Sequence, residues 1–214
     1  MIAPALPPLL DLAGTAIFAL TGALLAARLK QTFVTMAFFA LATGVGGGSV
    51  RDMLIGTPAF WLRDPWVAPV ILATALIAWF TPRRWWEGEL LEYADAGGLA
   101  AFAVLGAAKA MAFGVAPIPA AVLGVITGCA GGVVRDVIAG EPSIIMRPEL
   151  YVTAAGLAAA ITVAGGYAEL GNAMTWSLAW GAGFALRSAA IRWKLALPIY
   201  RERSDQEKDQ SSRT

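Results

Sequence analysis

The sequence contains no histidine and a single cysteine, Cys129, among its 214 residues. Without histidine it lacks the side chain that titrates near neutral pH and the commonest metal ligand. One cysteine leaves no partner for a disulfide within the chain. There is no Ser/His/Asp set, metal cluster or cofactor loop, so an enzyme is the least supported class and no cofactor or resident metal is expected.

Charge is scarce too. Only 14% of residues are charged, against about 25% in soluble domains. The net charge is +1, and the basic residues are scattered at segment ends. No stripe of the kind that neutralises phosphates is present, so no nucleic-acid partner is expected.

What the chain has in excess is apolar length. Hydrophobic residues make up 58% and the mean hydropathy is +0.65. The apolar runs cover roughly 9–27, 32–50, 66–81, 94–112, 117–135, 148–166 and 173–190, each about the length that spans a hydrocarbon core. Pro65, Pro82, Pro117 and Pro148 stand at or near their edges, where a fixed φ and a missing donor are tolerated. The expected fold is an all-α membrane protein of seven transmembrane helices, forming one transmembrane domain over residues 1–197.

The apolar start from Ala3 to Ala27 lacks a basic leader and carries Asp11, so it reads as a retained helix rather than a signal peptide. Residues 198–214 turn polar and have nothing to bury, which predicts a disordered tail. Trp61, Trp66, Trp79, Trp85, Trp86, Trp176, Trp180 and Trp193 fall near segment ends, as interfacial aromatic belts do.

Lys/Arg bias in the short loops sets the orientation. One face receives Arg28, Lys30, Arg83, Arg84, Arg135, Arg147, Arg187, Arg192, Lys194 and the tail, and the other Arg51 and Arg63. This predicts a multi-pass protein of a bacterial inner membrane, surrounded by lipid, with its N-terminus outside and C-terminus cytoplasmic.

The sequence repeats. A shift of 84 positions brings Asp11 onto Asp95, Gly14 onto Gly98, Phe18 onto Phe102 and Gly22 onto Gly106. The same shift carries Val50-Arg51-Asp52 onto Val134-Arg135-Asp136, and Gly56, Pro58 and Arg63 onto Gly140, Pro142 and Arg147. The repeats run over 9–82 and 93–166, and the seventh helix, 173–190, lies outside them. Each repeat has three spans, an odd number, so the second copy enters the membrane from the opposite face. Inverted repeats of this kind recur in transport proteins, with sites near the midplane where matched helices are interrupted.

The second helix of each repeat carries a glycine cluster: Gly44, Gly46, Gly47 and Gly48 in the first, and Gly128, Gly131 and Gly132 in the second. Each glycine costs about 1 kcal/mol against alanine inside a helix. Two readings remain open. The glycines let helices approach closely, or they mark a broken or kinked pair whose freed carbonyls line a wet path. Neither cluster ends in Gly-Lys-Ser/Thr, so a phosphate loop is excluded.

Arg51-Asp52 and Arg135-Asp136 follow the clusters. As helix neighbours they point to different sides and are expected to need other partners or water. By helical rise they fall near opposite membrane boundaries, as snorkelling structural arginines or as charges at two mouths. Asp11 and Asp95 start their helices, where the dipole favours a carboxylate. Lys109 lies fourteen residues beyond Asp95, about 21 Å along the helix, and its repeat mate is Leu25. An intramembrane Lys faces the bundle interior or a water cavity, or snorkels toward the loop at 113–117.

The twin signatures Gly-Val-Gly-Gly-Gly-Ser-Val-Arg-Asp and Gly-Cys-Ala-Gly-Gly-Val-Val-Arg-Asp, with Phe60-Trp61-Leu62 and Ala108-Lys109-Ala110, resemble the prokaryotic trimeric intracellular cation channel family over residues 9–195. That resemblance implies a homotrimer whose subunits each carry an ion path permeable to potassium and other monovalent cations such as sodium. It also implies kinks at Gly44, Gly46, Gly47, Gly48, Gly128, Gly131 and Gly132. Cys129-Ala130 departs from the pattern and is expected to straighten or narrow the second kink. Lys109, Arg51, Asp52, Arg135 and Asp136 are the candidate pathway or gating charges. Some proteins of the same broad family look like small amino-acid carriers, which makes a glycine transporter the alternative; a scaffold without transport is a third.

Overall fold

A computed structural model describes residues 8–82 and 89–198. Among them are seven α-helices: α1 (Pro8–Arg28), α2 (Phe33–Ile55), α3 (Val67–Phe80), α4 (Leu90–Ala112), α5 (Pro117–Ala139), α6 (Val152–Tyr167) and α7 (Asn172–Trp193). The expected disordered tail from residue 199, Arg83, Arg84, Trp85 and Trp86 lie outside the described residues.

Local sequence accounts for the ends of these helices. Thr32 caps α2 by accepting the Thr35 amide at 3.3 Å, satisfying one of the orphan donors of the first turn. Pro117 opens α5, where its missing N–H has no helical partner to lose. Gly56 and Gly140 end α2 and α5 with φ of 79° and 70°, a left-handed conformation that a Cβ disfavours. These two caps stand 84 positions apart, as do the 3-10 turns that follow, Phe60–Leu62 and Ile144–Met146. The repeat is written into the backbone as well as the side chains.

The helices α1, α2, α4 and α5 are each long and apolar enough to cross a membrane. The helices α3 and α6 are apolar but shorter, at 14 and 16 residues. Large apolar side chains such as Val34, Phe80 and Ile118 face outward, an arrangement suited to lipid and costly in water.

Within the first repeat α1 packs on α2 and α3, and within the second α4 packs on α5 and α6. The halves join through α1 against α4 and α2 against α5. Each has its own apolar cluster, one around Ala19, Phe39 and Ile71, the other around Leu99, Ala155 and Ala158. The seventh helix packs on α4 and α6, so it braces the second repeat.

The seven helices and the repeat match the expected architecture. The ends differ: α2 and α5 extend to Ile55 and Ala139, past their Arg-Asp pairs, and α6 starts only at Val152. The hydropathy-based limits stopped at the charges, whereas the backbone continues until the left-handed glycines end it.

Candidate functional site

The glycine clusters sit where α2 crosses α5. A methyl on Gly47 would lie 2.3 Å from the Thr127 carbonyl oxygen, and one on Gly131 3.1 Å from that of Thr43. Gly47 matches Gly131 and Thr43 matches Thr127 under the 84-residue shift, so the two contacts are symmetry mates about an axis between the helices. Phe18 and Phe102, likewise mates, meet with ring centroids 5.3 Å apart. Gly98 lies against the Phe18 ring and Gly14 against that of Phe102.

Close approach therefore explains most of the glycines. Gly44 and Gly128 admit the backbones of α1 and α4, at Thr15 and Leu99. Gly48 faces the Phe60 ring and Gly132 the Tyr151 hydroxyl. Gly46 has only ordinary contact with Val134. Of the two readings, an opened turn is absent: α2 and α5 run as unbroken α-helix through both clusters, where most of the glycines fill tight contacts and an opened turn would leave unpaired peptide groups in an apolar setting. Ala130 does not interrupt α5.

Beyond each cluster lies a charge site. In the first, Arg51 Nε donates to Asp52 Oδ1 at 2.7 Å and Nη1 to Asp11 Oδ1 at 2.9 Å. Asp52 Oδ2 accepts the Phe60 amide at 2.8 Å. In the second, Arg135 Nε donates to Asp136 Oδ1 at 2.9 Å and Nη1 to Asp95 Oδ1 at 2.5 Å. Asp136 Oδ2 accepts the Ile144 amide at 2.8 Å.

Three expectations are corrected here. The adjacent Arg and Asp pair with each other rather than pointing apart, because a long arginine side chain folds back along its own helix to a short neighbour. The further partners expected of them are present as well: Asp11 for Arg51, Lys109 for Asp52, Asp95 for Arg135 and the Ile144 amide for Asp136. Arg51 and Arg135 do not snorkel: both are buried, held inward by carboxylates on two helices. Asp11 and Asp95 are ion-pair partners of those arginines rather than carboxylates placed only for the helix dipole; Asp95 is already in the second turn of α4. Breaking such a buried pair costs about 3–5 kcal/mol, since it leaves a charge without a partner.

The two sites differ in one cation. Lys109 Nζ reaches from α4 to Asp52 Oδ1 at 2.7 Å, so it is paired across the repeats and does not simply snorkel to the loop. Asp52 thus carries Arg51, Lys109 and a backbone amide, while Asp136 has no lysine among the described residues, Leu25 occupying the matching position. Among the described residues several buried polar atoms have no protein partner, including Arg51 Nη2, Asp95 Oδ2, Tyr151 Oη and the hydroxyls of Thr15 and Thr43.

Ile144 and Tyr151 stand out nowhere in the sequence as members of these sites, and Phe60 does so only within the Phe60-Trp61-Leu62 motif. A signal for the Asp11–Arg51 and Asp95–Arg135 pairs was present, since both are separated by forty residues and map onto each other. The backbone donors of Phe60 and Ile144 left no such mark. Trp180 also departs from the interfacial reading: it lies within α7 and donates to the Gly97 carbonyl at 3.1 Å.

Comparison with known proteins agrees with this architecture. A family model described as glycine transporter matches residues 8–83 and 92–166. The chain is 38% identical over 201 residues to a UPF0126 membrane protein of Vibrio cholerae, covering 90% of this chain and 82% of that protein. It is 38% identical over 200 residues to the UPF0126 inner membrane protein YadS of Escherichia coli K12, covering 89% of this chain and 94% of that one. The crystal structure of a TRIC trimeric intracellular cation channel orthologue from Rhodobacter sphaeroides superposes with TM-score 0.81 at 37% identity, covering 88% of this chain and 98% of that one. By its twin signatures, inverted repeats and these likenesses, the chain belongs to the family of the prokaryotic trimeric intracellular cation (TRIC) channels and UPF0126 membrane proteins.

Proposed function

We propose that this protein is a monovalent-cation channel, permeable to potassium, that conducts passively through a path within each subunit of a homotrimer. The observation that carries this reading is the likeness, over nearly the whole chain and at 37% identity, to a solved protein named as a trimeric cation channel. The paired sites on the α2–α5 axis suit that role. They place Asp11, Asp52, Asp95 and Asp136 beside the crossing, where carboxylates offset the cost of a cation leaving water.

Lys109 on Asp52 is the closing element of this proposal. A fixed cation on the path raises the barrier for another cation, so conduction requires Lys109 to leave Asp52 or turn aside. Asp52 keeps Arg51 and the Phe60 amide when it does, so the site survives the loss of one partner. The clustered glycines at the crossing give α2 and α5 smooth faces along which the repeats shift. No cofactor takes part; potassium or sodium passes through. The protein resides in a bacterial inner membrane with its N-terminus outside and its C-terminus in the cytoplasm.

The test is flux from proteoliposomes of the purified protein, with potassium release and labelled glycine uptake followed in parallel. Fast, poorly saturating potassium flux without glycine uptake is the expected result. Saturable glycine uptake overturns the channel reading in favour of a carrier, the activity named by the family model's description.

A further inference from the structure

The seventh helix has no repeat mate, yet it sends a charge into the second repeat. Arg187 is 1% exposed, although arginine is among the costliest residues to bury. Its Nη2 pairs with Glu149 Oε2 at 2.6 Å, and its guanidinium carbon stands 5.3 Å from the centre of the Tyr151 ring. Tyr151 is itself 1% exposed, and its hydroxyl lies over Gly132, 2.6 Å from where a methyl on that glycine would be. The same position is 3.6 Å from Asp95 Oδ1, the carboxylate that holds Arg135.

The first repeat fills the corresponding space differently. There the ring over the glycine is Phe60, against Gly48, and the cation beside that ring is the repeat's own Arg51, at 5.6 Å. The positions matching Phe60 and Tyr151 are Ile144 and Val67, so the aromatic moves from the 3-10 turn to the start of α6. That ring then draws its cation from α7. Glu149 is tied down independently: it bridges to Ala196, and the Leu197 amide donates to the Pro148 carbonyl at 2.6 Å.

We infer that Arg187 is a positioning residue, which holds the Tyr151 ring with its hydroxyl over Gly132 and so makes the seventh helix part of the second charge site. A cation against an aromatic face is attracted by the ring quadrupole, more strongly when water is excluded. The planar guanidinium can face the ring while pairing a carboxylate, which lysine's point charge does less well. Its effect on current rests on the channel reading; its effect on Tyr151 does not.

Two measurements separate these. In protein carrying 3-fluorotyrosine at its four tyrosines, the fluorine resonance of position 151 is assigned by its loss in Tyr151→Phe. Arg187→Gln is expected to shift that resonance and leave the others in place, with Arg187→Lys shifting it less. An unmoved resonance in folded Arg187→Gln overturns the inference. Should Arg187→Gln not fold, the resonance in Arg187→Lys decides instead: a shift supports the inference, and an unmoved resonance overturns it.

In planar bilayers, Arg187→Gln is expected to change unitary potassium conductance or open probability severalfold. It is expected to add nothing in a Tyr151→Leu background, because the arginine acts through the ring. An undiminished effect of Arg187→Gln in that background overturns the inference. Absence of current from the unsubstituted protein counts against the channel reading alone, and the fluorine shift then decides.

Discussion

Lys109 Nζ and Asp52 Oδ1 are 2.7 Å apart, joining α4 of the second repeat to α2 of the first at a point where the symmetry of the molecule fails. The mate of Lys109 is Leu25, so among the described residues only the Asp52 site has a cation from the opposite repeat. A symmetric frame carries an asymmetric ion pair, which under the proposed channel reading is a latch.

Removing the latch is expected to favour the open state. A hydrogen bond between charged groups contributes about 1.5–3 kcal/mol, and about 1.4 kcal/mol is a tenfold change in an equilibrium. Lys109→Met should therefore raise open probability about tenfold or more in single-channel recordings. Currents identical to those of the unsubstituted protein would remove Lys109 from gating.

The missing mate can be supplied. Leu25 is half-buried, and the repeat places it toward Asp136 as Lys109 is placed toward Asp52. Leu25→Lys is expected to fold and to slow potassium flux about tenfold, the same latch energy being added at the second site. Combining it with Lys109→Met should move the latch from one end to the other. Unchanged flux in a folded Leu25→Lys protein contradicts the symmetry argument.

Two glycines of one cluster should respond oppositely to substitution. Gly47→Ala drives a methyl to 2.3 Å from the Thr127 carbonyl, whereas at Gly46 it meets Val134 at an ordinary 3.4 Å. Overpacking of the first kind costs about 1–3 kcal/mol; the second gains helix propensity of up to about 1 kcal/mol. Thermal unfolding in detergent should show a lowered Tm for Gly47→Ala and an equal or higher one for Gly46→Ala. A shared response would mean that the crossing is looser than these distances require.

Arg135→Leu leaves Asp95 and Asp136 buried without their common cation. The expected loss is about 3–5 kcal/mol, seen as low yield of folded protein and early unfolding. The companion Asp95→Asn should cost less, because Arg135 retains Asp136. Near-equal stability of Arg135→Leu and the unsubstituted protein would show that the buried charges are dispensable.

Much of the frame was legible in the amino-acid order. Apolar runs of membrane length, prolines at their edges and the 84-residue shift gave seven helices and two inverted halves, because lipid leaves the backbone few alternatives to helix. The terminal glycines 56 and 140 were visible in the repeat, and the backbone conformation they permit ends α2 and α5. Charges, by contrast, misled the placement of those ends: a hydropathy pattern stops at Arg51-Asp52, but a helix continues through residues whose charges are paired inside the protein.

Sequence by itself determined the class of molecule and its symmetry, and it named some of the charged residues and glycines that meet at the two sites, but not Tyr151 or Arg187. The tertiary structure decided what those residues do to one another. Whether a glycine breaks a helix or seats one against another depends on what lies within 4 Å of its missing Cβ, which for Gly47 is a carbonyl eighty residues away in the chain. Whether Arg51 is a surface anchor or a buried partner depends on Asp11 arriving from another helix. Lys109 finds Asp52, and Arg187 finds Tyr151, only through packing. Local order fixes hydrogen bonding and helix length, whereas the pairing of charges between helices depends on distances that exist only once the helices have crossed.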